Sequence, residues 1–167
     1  FGNAEKRAKL GAVIRSYFLM GGQELQINCV SKDTLRDAQV HPEWIARKKD
    51  GSIMTSYPMD EQTEPAAPRR NNLWTNLCPN TEYGTHLRKL TEEICDRYPV
   101  DGLFYDIVFQ GDRCFCAKCR KDMQEQGMNP DSDQDAAVFF KEVRLQLMQE
   151  LNQILHRYHP EGQAFYN

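Results

Sequence analysis

Long apolar runs are scarce in this chain. The longest, around Gly102 to Tyr105, falls far short of the roughly 20 consecutive apolar residues that a membrane helix needs. The opening residues carry no signal-peptide pattern. No membrane partner is therefore expected, and the chain reads as soluble and cytoplasmic. A bias of charge is missing as well: 21 Lys and Arg are interspersed with 24 Asp and Glu, for a formal net charge of -3. With no basic stripe to release counterions and no acidic tail, nucleic acid is excluded as a partner. Internal repeats and low-complexity tracts are absent too. What remains, 167 residues of which 40% are hydrophobic and 27% charged, is long enough for one ordinary globular domain. Phe1 is not an initiator methionine and Asn167 closes on a strand pattern, so either end is expected to be a cut.

Cysteine, by contrast, is plentiful. Six would suit the disulfides of a secreted protein, yet three fall in Cys114-x-Cys116-x-x-Cys119. That spacing is more typical of metal ligation, and reduced thiols are expected.

Leu10, Val13, Ile14, Tyr17 and Phe18 recur at helical spacing and predict a helix over about 4–20, stopped by Gly21-Gly22. Leu25, Ile27 and Cys29 then alternate as a strand does, and Ser31 caps a short helix over 32–39. From Asp50 to Asn72 the composition shifts to Gly, Pro, Ser, Thr and charge, which reads as one long loop. The second half is regular. A short apolar stretch over 73–78 leads to a helix that Asn80 or Thr81 can cap. Its buried stripe is Tyr83, Leu87, Leu90, Ile94 and Tyr98. An apolar run over 102–109, broken only by Asp106, predicts a parallel strand covered on both faces. Helices over 117–126 and 133–158 and a strand over 163–166 follow. The order strand, helix, strand, helix, helix, strand argues for α/β with a parallel sheet.

In such units each helix starts at the end of the sheet where the preceding strand finishes. Cys78, before one helix, and Asp106 with Cys114 to Cys119, after the next strand, therefore share one face, which in a barrel carries the active site. A carboxylate ending an apolar strand is costly to bury, so Asp106 is a candidate nucleophile or charge stabiliser in a sugar-cleaving site. The alternative is an Asp that caps its loop through backbone N–H groups. Cys114, Cys116 and Cys119 are candidate ligands of a structural zinc ion, with Cys78 as the fourth; free thiols are the alternative. Trp44 and Trp74 flank the long loop and offer aromatic faces for a sugar ring, or for packing. His41 precedes a loop able to reach a site. His86, His156 and His159 lie on helices, and Cys95 reads as core.

Several of these pieces resemble a known family. His41-Pro42-Glu43-Trp44 with Asp50-Gly51, Asn76-Leu77-Cys78-Pro79-Asn80, the strand 100–107, the cysteine loop and Phe165-Tyr166-Asn167 together look like hypothetical glycosyl hydrolase family six. That family is related to alpha-L-fucosidase-like and beta-galactosidase-like barrels. The resemblance implies a (β/α)8 TIM barrel, here partial, with Asp106 where such barrels carry their nucleophile and carbohydrate as substrate. It also likens the four cysteines to a structural zinc site of one beta-galactosidase family.

Residues 8–43 resemble the C-terminal region of glycyl radical enzymes of the pyruvate formate-lyase type, through Val13 to Gly22, Gln26-Ile27-Asn28, Asp33 to Gln39 and His41-Pro42-Glu43. The Arg-Val-x-Gly-Tyr segment that bears the radical in that family does not follow here. Both resemblances meet at His41-Pro42-Glu43, which suggests a join of unrelated genes, with residues 1–43 as one part and 44–167 as the other. The expected fold is then a partial TIM barrel behind an N-terminal helix-strand-helix segment. The expected function is glycoside-hydrolase-like but incomplete, with a glycyl radical fragment and a zinc-stabilised binding module without catalysis as alternatives. Unpaired strand edges predict self-association.

Overall fold

The computed structural model describes residues 24–28, 40–56, 74–106 and 111–166 and, of residues 24–28, 56, 74 and 106, the backbone alone. The helices expected over 4–20 and 32–39 lie outside the described residues.

Among the described residues, five strands and three α-helices, with a 3-10 turn at Pro42–Trp44, make a mixed α/β architecture: β1 (Glu24–Asn28), β2 (Thr55–Ser56), β3 (Trp74–Thr75), α1 (Glu82–Arg97), β4 (Gly102–Asp106), α2 (Ala117–Glu125), α3 (Asp133–Tyr158) and β5 (Gln163–Tyr166). Strands β1, β4 and β5 form a parallel sheet with β4 in the centre. Its register sets Asn28 opposite Asp106 and Tyr105 opposite Tyr166.

The helices form where the sequence supplies both stripe and ends. Thr81 caps α1: its hydroxyl accepts from the Tyr83 N–H at 3.3 Å and donates to the Cys78 carbonyl at 2.7 Å. The Ser132 hydroxyl accepts from the Asp135 N–H and caps α3. Asp133 and Asp135 in its first turn and His156 and Arg157 in its last complement the helix macrodipole. Gly127, at φ +75°, carries the chain out of α2 in the left-handed region that a side chain disfavours.

The main core lies between the sheet and the pair α1 and α3. Leu87 and Cys95 of α1 and Leu147, Leu151 and Leu155 of α3 close over Leu103 and Tyr105 of β4. Tyr105 is fully buried, shares a 3.0 Å hydrogen bond with the Thr91 hydroxyl, and stacks on Tyr166 with ring centroids 4.9 Å apart. Whether β4 is covered on both faces rests on residues outside those described. Among the described residues the helices pack on the Leu103 and Tyr105 side, while Phe104 is only half-buried and Phe165, beside it in register, is 38% exposed.

The long loop is also shorter than expected. Its first residues turn back through the Ser52 carbonyl, which accepts from Lys48 N–H, and enter β2, which pairs antiparallel with β3. Two-residue strands are too brief to show an alternation. Residues 57–73 lie outside the described residues. Isolated bridges Ile45 to Leu77 and Arg47 to Ile53 extend this small antiparallel layer.

No helix among the described residues is long and apolar enough to cross a membrane. Leu151 is fully buried at the centre of the core. Leu151→Ala is expected to cost about 2–5 kcal/mol, read as a lower urea midpoint with an unchanged slope; a midpoint within error of the parent would refute this assignment of the core.

Candidate metal centre

A second apolar cluster, of Ala46, Phe115, Met123, Ala136, Phe139 and Phe140, surrounds four cysteines. Each of the four comes from a position fixed by its local structure. Cys78 lies between β3 and α1, where its N–H donates to the Trp44 carbonyl at 2.7 Å. Cys114 and Cys116 lie in the loop after β4, tied to the antiparallel layer by the Phe115 N–H, which donates to the Arg47 carbonyl at 2.9 Å. Cys116 is the N-cap of α2, and Cys119 sits in the first turn of that helix. The loop leading from Cys78 packs so tightly on α1 that a Cβ at position 84 would stand 2.2 Å from the Pro79 carbonyl oxygen, which only Gly84 avoids.

The Sγ atoms of Cys78, Cys114, Cys116 and Cys119 all lie within 4.8 Å of one another, and all four residues are buried. The Cys78 and Cys119 sulfurs are 3.5 Å apart. Four sulfurs at tetrahedral corners, each about 2.3 Å from a central ion, stand about 3.8 Å apart, so these spacings suit a tetrahedral ion. The four cysteines that the sequence reading grouped, Cys78 included, thus lie together in the structure.

Proton sharing among the thiols is uneven. Hydrogen bonds from Cys114, then Cys119 and Cys78, hold Cys116 well below the usual thiol range. Cys114 is also lowered: Cys116 opposes its ionisation, but hydrogen bonds from Cys119 and Cys78 outweigh that. Cys78 and Cys119 move the other way, because each donates to Cys114 and Cys116, and burial adds to the effect. The positive N-terminal end of α2 faces the same cluster and favours thiolate there. Four thiols buried together at these spacings make a candidate site for a thiophilic cation.

Around the cysteines, Arg120, which sequence reasoning passed over, and Asn80, which it read as a possible cap, hold the loops in place. Arg120 donates to the carbonyls of Phe115 at 3.1 Å, Pro130 at 3.3 Å and Lys49 at 3.2 Å, pairs with Asp131, and lies over the Phe115 ring. One guanidinium thereby joins the cysteine loop, the turn after Arg47 and the link between α2 and α3. Asn80 donates from Nδ2 to Cys119 Sγ at 3.6 Å and to Asp122 Oδ2 at 2.8 Å. Nothing in the local pattern separates such residues from ordinary surface charges and caps.

The other candidate residues are distributed as follows. Trp44 is half-buried, stacked on His41 with centroids 3.9 Å apart, and near Tyr83 and His86 at 5.9 and 5.8 Å. His41 also pairs with the Glu43 carboxylate at 3.1 Å. Asp106 ends β4, and Trp74 lies in β3, but their side chains lie outside what is described. Cys95 is buried in the main core, where desolvation pushes its thiol up to about 11. His156 and His159 donate to the carbonyls of Gly162 and Cys95, both at 3.0 Å, and so close the end of α3.

The chain resembles known proteins in two overlapping regions. A family model described as Hypothetical glycosyl hydrolase 6 matches residues 26–107, and one described as Glycine radical matches residues 2–46. Among solved structures, alpha-L-fucosidase isoenzyme 2 from Paenibacillus thiaminolyticus is similar in fold, with a TM-score of 0.70 and 21% identity. The likeness takes in 95% of this chain, which spans 22% of the length of that one. No curated protein matches. The chain is thus glycosyl-hydrolase-like in fold and in part of its sequence, with a short glycyl-radical-like segment at its start.

Purified chain is expected to carry one metal ion per molecule by elemental analysis, falling well below stoichiometry in Cys116→Ser. Because Cys78 and Cys119 are shifted toward holding their protons and a metal binds thiolates, metal uptake is expected to release protons. Apparent affinity will therefore rise with pH and fall on acidification. Titration calorimetry in buffers of different ionisation enthalpy counts those protons, and a count of zero would contradict the thiol assignment.

Proposed function

We propose that the chain is part of a carbohydrate-active (β/α) barrel of the glycoside hydrolase type, with the four cysteines binding a structural zinc ion beside it. The observation that carries this reading is the parallel order β1, β4, β5, in which Asp106 ends the central strand level with Asn28. In barrel enzymes that end of the sheet is where catalytic side chains stand. The family match over residues 26–107 and the fucosidase-like fold support the same reading. Carbohydrate is then the substrate class, and α-L-fucosides are the first to try.

In this reading Asp106 is the nucleophile or charge stabiliser opposite a carboxylic acid on a later strand. Trp44, with His41 against one face, and Trp74 offer aromatic surface to a sugar ring. Zinc in a closed tetrathiolate site supplies folding free energy rather than chemistry. The four thiols anchor the loop after β4 to the loop before α1 and so stiffen the rim of the site. A whole barrel takes about 250 residues, so this chain by itself is proposed to be inactive.

The test uses aryl α-L-fucosides and aryl β-galactosides with both the chain and the longer reading frame that contains it. Only the longer protein is expected to release aryl alcohol. Asp106→Asn should lower its kcat on the order of a thousandfold or more, as loss of a nucleophile does. Full activity in that variant would remove Asp106 from the mechanism, and hydrolysis by the chain alone would refute its incompleteness.

The match over residues 2–46 favours a second reading, a glycyl radical enzyme fragment fused at His41-Pro42-Glu43. In that reading residues 1–43 have a separate origin, although β1 within them pairs with β4. A glycine-centred radical signal that depends on an activating enzyme would support it. Sequencing single long molecules of the source DNA tests the join itself, since recurrence of the whole segment intact rules out an assembly of mixed DNA. A zinc-stabilised module without catalysis is the third reading, supported by bound zinc with no hydrolysis from the longer protein.

Among the described strands β1 and β5 each have one edge unpaired, and such edges recruit other strands. The isolated chain is therefore expected to self-associate, seen as sedimentation faster than a 19.4 kDa monomer allows. A concentration-independent monomer would contradict this.

A further inference from the structure

We propose that Asn80 is a positioning residue of the metal centre, holding Cys119 in its ligating position through an N–H···S hydrogen bond. The proposal rests on the reading of the four cysteines as a metal site and adds a polar chain behind one of them.

The geometry starts at the first turn of α1. The pattern Asn80-Thr81 offers two possible caps, but Thr81 takes that task, so the Asn80 amide is available for another. Its Nδ2 lies 3.6 Å from Cys119 Sγ and 2.8 Å from Asp122 Oδ2. Both neighbours are acceptors, so the amide nitrogen rather than its oxygen must face them. Asp122 is held in turn by Lys118, whose ammonium lies 2.6 and 2.5 Å from its two oxygens. The Asp122 side chain is only 15% exposed, so the carboxylate that orients the amide is itself fixed. Lys118, Asp122 and Cys119 share the first two turns of α2, whereas Asn80 comes from the segment before α1. The chain Lys118, Asp122, Asn80, Cys119 therefore joins the two segments that carry Cys78 and Cys119 without passing through a ligand bond.

Its physical role follows from charge. Four thiolates around a divalent cation leave a net charge of about -2 in an apolar surrounding, which is costly to bury. A donor aimed at one sulfur withdraws part of that charge and fixes the side chain's rotamer before the ion arrives. Outer partners of this kind typically change metal affinity by about 10- to 100-fold.

The experiment loads the purified chain with zinc or cobalt(II) alone. It measures affinity by competition with a chromophoric chelator, the rate of metal transfer to that chelator, and the energy of the thiolate-to-cobalt absorption band. Asn80→Ala is expected to weaken zinc about 10-fold, to speed transfer, and to move the cobalt band to lower energy, because a sulfur without its donor gives up charge more readily. Asp122→Ala, which frees the amide but leaves it in place, should shift all three in the same direction by less. It serves as the second measurement if Asn80→Ala folds poorly. A merely structural Asn80 would lower occupancy and leave the band where it was, and that outcome overturns the proposal, as does a parent-like affinity in both variants. A parent chain that takes up neither metal overturns the underlying metal reading instead, and the proposal with it.

Discussion

Four sulfur atoms buried within 4.8 Å of one another are the constraint around which half of this molecule is arranged. Burying several thiolates together without a cation is costly. Cys116 and Cys114 are shifted toward the thiolate and Cys78 and Cys119 toward the thiol, and a tetrahedral ion would relieve the repulsion. The antiparallel layer around Ile45 and Leu77, the loop through Phe115 and the start of α2 depend on that cluster for their mutual placement.

The other half rests on ordinary burial. Leu103 and Tyr105 of β4 lie under α1 and α3, whose leucines fill the space between helices and sheet. The two halves meet along α1, which begins beside Cys78 and ends among the residues around Cys95. Movement at the metal centre would thus be felt at the sheet through a rigid helix. The end of β4 that carries Asp106 and the loop that carries Cys114 are also joined by a short segment of chain.

Legibility in the sequence followed the length of each pattern. The 26-residue helix α3 was readable to both ends because its stripe repeats over seven turns and Ser132 caps it. Strands β4 and β5 were readable from apolar runs bounded by turn residues. The stretch over 73–78 was read as a strand of the parallel sheet, but within it β3 pairs antiparallel with β2, whose two residues cannot display a period of two. The four cysteines were legible because alternation of strands and helices brings Cys78 to the same end of the sheet as the loop after β4. Asn80 was noticed only as a cap, because its partners, Cys119 and Asp122, lie 39 and 42 positions away.

Residue type and spacing therefore indicated, before any coordinates, the helices α1, α2 and α3, the strands β1, β4 and β5, which thiols lie together and which strand end carries a lone carboxylate. These are local properties, governed by backbone geometry and by the chemistry of single side chains. Only the tertiary structure decided that Arg120 ties three loops together, that Thr81 rather than Asn80 caps α1, and that the described helices cover one face of the sheet. The reason is physical. Hydrogen bonds and packing between distant segments depend on distances in space, which no periodicity along the chain encodes.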